Sequence, residues 1–211
     1  MENELSKRIL SSIALIPIAL FFIIKGSFLF IFFISVCFCI IGYEWHMMSK
    51  KKTYYFYGLF FLFFSFITIY ELRFNFGFGY FVILLITIIC VSTDIGGYIF
   101  GKIFKGPKLI KLSPNKTYAG MIGGYFLSLI SISFYLQLFK IEFTINWIIF
   151  SLLISSVSQL GDLTISYFKR LSKVKDTGKI IPGHGGLLDR VDGMIFAFPF
   201  SYLIYLTGIF I

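Results

Sequence analysis

The sequence predicts an all-α, polytopic integral membrane bundle of about seven transmembrane helices. Three observations predict this fold class. The 211-residue chain is 58% hydrophobic, contains 29 Phe and has only 14% charged residues, with a mean hydropathy of +0.89. That is more apolar surface than a water-soluble domain of this length can bury. The apolar residues gather in runs close to the roughly 20 residues that a helix needs to cross a hydrocarbon core. The runs show no sustained alternation of polar with apolar residues, which argues against a membrane β-barrel. Helices remain as the way to satisfy every backbone N–H and C=O internally.

In chain order the candidate spans cover about 9–24, 27–45, 54–71, 78–100, 118–139, 144–168 and 190–211. The first has no small-residue cleavage site behind it and reads as a retained helix, not a signal peptide. The second ends before the basic loop Lys50, Lys51 and Lys52, and the fourth ends near Asp94. The fifth begins after Ser113-Pro114-Asn115-Lys116-Thr117, which has the turn and cap chemistry of a helix start. Asp162 lies within the sixth, and Asp189 and Asp192 bracket the start of the seventh. Residues 1–90 read as N-terminal transmembrane helices and 91–211 as the region that carries the chemistry. The chain shows no internal repeat, low-complexity tail or soluble domain.

Seven crossings with the N-terminus in the cytoplasm place sixteen of the nineteen Lys and Arg on the cytoplasmic face and only Lys25, Arg73 and Lys140 on the other, as the positive-inside rule requires. The formal charge of +9 then has two readings: topology plus attraction to anionic headgroups, or an anionic substrate. Nucleic acid is excluded as a partner, because the basic residues are spread over short loops without a binding module. Cys37, Cys39 and Cys90 lie within apolar runs and lack paired metal-ligand spacing, so zinc and disulfides are set aside.

Three constellations carry possible chemistry. From Asp94 to Lys116, Gly96, Gly97 and Gly101 allow close helix packing or irregular backbone, and lysines lead to a helix start, where phosphate is attracted. The plainer reading is a basic loop closing with a cap. In the second, Asp162, Ser166, Lys169 and Arg170 fall at i, i+4, i+7 and i+8, on one helix face. The alternative there is a carboxylate neutralised by its own helix neighbours. In the third, Gly183, Gly185 and Gly186 surround His184, and Asp189 and Asp192 are three apart. Carboxylates at that spacing can hold a hard divalent ion, or cap a helix start with Arg190 in a surface ion pair. Four of the ten acidic residues, Asp162, Asp176, Asp189 and Asp192, crowd into 161–193, where desolvation makes them costly to keep for stability alone.

Taken together these residues resemble the phosphatidate cytidylyltransferase family. The resemblance rests on Ser166, Lys169 and Arg170, then Lys175-Asp176, then His184-Gly185-Gly186 and Asp189-Arg190 with Asp192. Asp94, Gly97-Tyr98, the 113–117 run, Gly161-Asp162 and Glu44-Trp45 are similar to the family as well, and the likeness is strongest over about 90–211. The resemblance implies an enzyme of phospholipid biosynthesis in which the phosphate of phosphatidic acid attacks the α-phosphorus of CTP, giving CDP-diacylglycerol and pyrophosphate. It implies Mg2+ on Asp162 and Asp189 with Asp192 as third or supporting partner, and it leaves room for a second, monovalent cation. Lys116, Lys169, Arg170 and Arg190 then neutralise phosphates, Ser166 touches metal or phosphate, and Asn115, His184 and Asp94 order the nucleotide side. It also implies a homodimer in a bacterial inner membrane, with the active site facing the cytoplasm. A CTP-dependent lipid-alcohol kinase is the runner-up, distinguished by releasing CDP. A transporter or flippase fits less well, since its charges belong near span midpoints.

Overall fold

The computed structural model describes residues 15–75, 79–109, 116–181 and 185–208. Among them the elements are α1 (Leu15–Lys25), α2 (Ser27–Ser49), α3 (Tyr55–Phe74), α4 (Gly79–Phe104), α5 (Tyr118–Leu138), α6 (Ile145–Leu171), α7 (Leu188–Val191) and α8 (Met194–Leu206). Helices α2 to α6 are long and apolar enough to cross a membrane, and α1 and α8 are shorter apolar helices. The chain is thus an all-α polytopic membrane protein, and each of the seven apolar runs contains a helix.

The helices begin and end where local chemistry dictates. Gly26, at φ 64, is left-handed backbone that Gly adopts without strain, and it separates α1 from α2. Thr117 caps α5, its hydroxyl accepting from the Gly120 N–H at 3.1 Å, as the 113–117 run predicted for this region. Ser113, Pro114 and Asn115 themselves lie outside the described residues. The last expected span differs most. A single turn, α7, precedes α8, with Asp192 and Gly193 between them. The Asp192 carboxylate accepts from the Gly193 N–H at 2.9 Å, a local bond that competes with helical pairing and favours a break.

Two compact units are formed, Met1–Tyr80 with Phe168–Val191 and Phe81–Tyr167 with Asp192–Ile211. In the first, α2 packs on α3 and α7 around Phe30, Ile41, Leu62, Leu72 and Leu188. Trp45 is buried, meets Tyr54 and Phe168 edge-on at centroid distances of 6.0 and 5.5 Å, and donates its indole N–H to the Tyr55 carbonyl at 3.0 Å. Gly58 leaves the space that this indole occupies.

In the second unit the contact of α4 with α5 is set by glycine. A Cβ on Gly120 would stand 2.7 Å from the Gly97 carbonyl, one on Gly124 would stand 3.0 Å from the Thr93 carbonyl, and one on Gly96 would run into the Gly123 carbonyl. Backbones this close gain van der Waals contact that lipid cannot replace, which is how small residues drive helix association in membranes. The close packing expected of Gly96 and Gly97 is therefore what the helices use. Thr93 adds a hydrogen bond to Ser155 on α6 at 2.8 Å, and Tyr135 donates to the Phe81 carbonyl at 3.0 Å. Gly161 on α6 and Gly193 before α8 serve the same purpose, their added Cβ atoms meeting Phe196 at 2.7 Å and the Ser158 hydroxyl, respectively.

Valine at Gly96 forces α4 from α5 and is expected to cost about 1–3 kcal/mol or more. Thermal unfolding of the detergent-solubilised protein will show a lowered midpoint for Gly96→Val, whereas Gly42→Ala, with nothing within 4 Å of the new Cβ, will leave it nearly unchanged.

Candidate functional site

The second unit gathers its chemistry at the start of α5 and in the C-terminal half of α6. Backbone pairing anchors Lys116: its carbonyl accepts from the Leu109 N–H at 2.8 Å, and the Tyr118 N–H donates to the Pro107 carbonyl at 3.2 Å. Thr117 then turns the chain into α5, leaving the Lys116 ammonium in an ion pair with Asp162 on α6. Ser166, one turn on, donates to the other Asp162 oxygen at 3.4 Å. The two charged side chains are 27% and 28% exposed, so a solute can reach the pair. A Cβ on the neighbouring Gly161 would stand 3.0 Å from the Asp192 carbonyl, so the α6 backbone lies directly against Asp192, which is buried. Asp94 is exposed on α4 and, with Asp192, is a charged neighbour of Cys90.

The first unit holds a second carboxylate–ammonium pair. Lys169 at the end of α6 donates to Asp189 Oδ1 at 2.8 Å, and the side chains are only 12% and 6% exposed. Asp189 Oδ2 accepts from the Thr177 N–H at 2.8 Å and the Gly186 N–H at 3.1 Å. Burial pushes the Asp189 carboxyl up, but the Lys169 ammonium and the amides of Thr177 and Gly186 outweigh that and hold it below the usual carboxylate range. It is therefore a carboxylate at neutral pH, with hard oxygen donors and a cation beside them.

The first unit also holds a fully buried acid. Glu44 on α2 is 1% exposed, and its Oε1 accepts from the Leu187 N–H at 2.9 Å. Its Oε2 accepts from the Leu188 N–H at 2.8 Å and the Thr177 hydroxyl at 3.2 Å. Glycine makes the approach possible: a Cβ at Gly178 would stand 2.7 Å from Glu44 Oε1, and one at Gly186 would stand 2.6 Å from Oε2. Gly185 sits at φ +86, left-handed backbone that a bulkier residue resists. Arg170 Nη1 donates to the Val174 carbonyl at 3.4 Å, and Arg190 is exposed on α7.

The structure thus brings together Lys116, Asp162 and Ser166, and separately Lys169 and Asp189, within their own units. His184 and Asn115 lie outside the described residues. Among the described residues no group of three or more His, Cys, Asp or Glu is gathered as a metal site. Sequence reasoning placed Glu44 only beside Trp45 ahead of a basic loop. The signal available was a lone carboxylate inside a run apolar enough to cross a membrane, where such a group demands partners.

Residues 53–207 match the Cytidylyltransferase family. The phosphatidate cytidylyltransferase of Staphylococcus aureus strain COL is 49% identical over 111 residues, 51% of this chain and 42% of that protein. The phosphatidate cytidylyltransferase of Brucella suis biovar 1 strain 1330 is 39% identical over 152 residues, 72% of this chain and 55% of that protein. The chain spans about half the length of the curated relatives it matches.

Asp189 is held as a stronger acid than an ordinary carboxyl, and its contribution to stability depends on pH accordingly. A carboxyl held below its unfolded value of ~3.9 contributes stability that is fully present above that value and is lost as pH falls through the lower folded one. The stability difference between wild type and Asp189→Asn, read from unfolding followed by Trp fluorescence, is therefore expected to be constant from pH 7 to about 5 and to shrink below about 4.

Proposed function

We propose a reaction from one premise, that the chain belongs to the cytidylyltransferase family: the phosphate of phosphatidic acid attacks the α-phosphorus of CTP, and CDP-diacylglycerol and pyrophosphate leave. The observation that carries the reading is the partly buried Lys169–Asp189 pair, which lies inside the matched span and sets a cation beside an ionised acid. The names of the relatives from Staphylococcus aureus and Brucella suis support the same lipid substrate.

The chemistry suits these side chains. A phosphate monoester has a second pKa of about 6 and is mostly ionised at neutral pH, so the nucleophile needs little help from a base. The barrier is repulsion between two anions, which positioning and positive charge must offset. Lys116, Lys169, Arg170 and Arg190 are the cations proposed to neutralise the triphosphate and the lipid phosphate. Lys116 and Lys169 are already tied to carboxylates, so each is held in place before an anion arrives. Ser166, one turn from Asp162, is proposed to touch phosphate or metal. Asp94, Asn115 and His184 are proposed to order the nucleotide.

Magnesium is bound by hard oxygens, commonly one or two carboxylates completed by substrate phosphates and water. Asp162, Asp189 and Asp192 offer that donor chemistry, and such an ion needs no cluster of three protein ligands. When bound it supplies positive charge that polarises a phosphoryl oxygen. Asp162 and Asp189 are proposed as its ligands, with Asp192 as a third or supporting partner. The bacterial relatives support a bacterial inner membrane location, and the clustering of Lys and Arg near 50–52, 102–116 and 169–190 supports these residues facing the cytoplasm, where CTP is present. A homodimer is part of the same reading.

Purified protein supplied with labelled CTP, phosphatidic acid in mixed micelles and Mg2+ is expected to give labelled CDP-lipid and pyrophosphate. Release of CDP with a newly phosphorylated lipid would overturn the reading in favour of a kinase.

Asp189→Asn is expected to lower turnover by ~100-fold or more, as loss of a ligand to the charge-neutralising ion does, while the protein still inserts and folds. Near-normal turnover in the purified variant rejects the role. Replacing Lys169 and Arg170 together is expected to weaken CTP or phosphatidate saturation, turnover, or both, and unchanged kinetics count against them.

A further inference from the structure

We propose that Glu44 is a positioning residue for Asp189, a role that rests on the cytidylyltransfer reading above. The two carboxylates hold the same two stretches of chain. Thr177 donates its hydroxyl to Glu44 and its N–H to Asp189. Three consecutive amides then divide between them, Gly186 to Asp189 and Leu187 and Leu188 to Glu44. Asp189 cannot move without breaking bonds to segments that Glu44 pins.

The chemistry of the donors explains why a carboxylate is needed at position 44. Three hydrogens point at its two oxygens, one at Oε1 and two at Oε2. An ionised acid is acceptor-only and can take all three, whereas a Gln amide has one oxygen and turns an NH2 donor toward at least one donor. Hydrogen bonds to a charged acceptor are stronger than those between neutral groups, and a buried donor left without a partner is costly. Helix α2 anchors the acid rigidly: Glu44 sits beside buried Trp45, and α2 packs on both α3 and α7. Gly178 and Gly186 have no side chain to hold the carboxylate off. The arrangement carries an orientation constraint from a helix distant in sequence to the acid that faces Lys169. Groups that orient a functional carboxylate in this way commonly change metal affinity or activity by ~10–100-fold when removed.

Two measurements on the full-length, detergent-solubilised protein test the role. In Glu44→Gln, hydrogen exchange of the backbone over 174–189 is expected to quicken while α3 keeps its protection, because the Thr177, Leu187 and Leu188 donors are left with one acceptor oxygen in place of two. Per folded molecule, kcat is expected to fall by about 10–100-fold and the Mg2+ concentration for half-maximal rate to rise, with the KM for CTP little changed. A purely structural residue lowers the yield of folded protein and leaves these constants alone. Where Glu44→Gln does not accumulate, Glu44→Asp carries the test: it keeps the charge but shortens the reach, and an intermediate loss in the same two constants is expected. Wild-type exchange over 174–189 together with wild-type kinetics overturns the proposal. If the wild-type protein makes no CDP-lipid, the reaction reading fails, and the exchange measurement still decides whether Glu44 holds the Asp189 segment.

Discussion

Hydrogen-bond satisfaction is the constraint on which this protein depends. A chain this apolar has little water to complete its polar groups, so each N–H, hydroxyl and carboxylate that leaves a helix needs a protein partner. The segment from Ser172 to Leu187, which joins α6 to α7, would bring many such groups into a crowded unit. Glu44 and Asp189 answer that need together, taking the donors of Thr177, Gly186, Leu187 and Leu188. The acids are therefore part of the fold before they are part of any chemistry. Desolvation that would make a lone carboxylate costly is offset by several charge-assisted bonds.

Close approach is the second requirement, and glycine supplies it at both levels of the structure. Gly96, Gly97, Gly120 and Gly124 let α4 and α5 meet backbone to backbone, and Gly178 and Gly186 let a loop settle onto a carboxylate. The energetic reasons differ. Between helices the gain is dispersion contact that lipid tails cannot supply. Around Glu44 the gain is hydrogen-bond length, because a methyl group at either glycine would push amides beyond useful range.

These constraints leave acids and lysines in pairs of contrasting exposure. Lys116 and Asp162 are about a quarter exposed, open enough for a solute to compete. Lys169 and Asp189 are nearly enclosed, so that their geometry is held and their charges are poorly screened. For a reaction between two anions, fixed cations of this kind lower repulsion without reorganising at the moment of reaction.

Much of this was legible in the amino acids because it depends on short-range rules. Run length and composition determine that the chain is helical and membrane-embedded, since a hydrocarbon core admits few other backbones. The spacing of Asp162 and Ser166 on one helix face, the cap at Thr117 and the close packing of Gly96 and Gly97 follow from helix geometry and side-chain size. The break at Asp192 and Gly193 was not foreseen, because a continuous apolar pattern hides a local carboxylate–amide bond. Glu44 was the larger omission. Residues 44 and 188 are far apart in sequence, and no periodicity relates an acid on α2 to the amides of α7. Only the folded chain decides which distant donors meet a buried acceptor, because that depends on three-dimensional packing and not on the order of the residues.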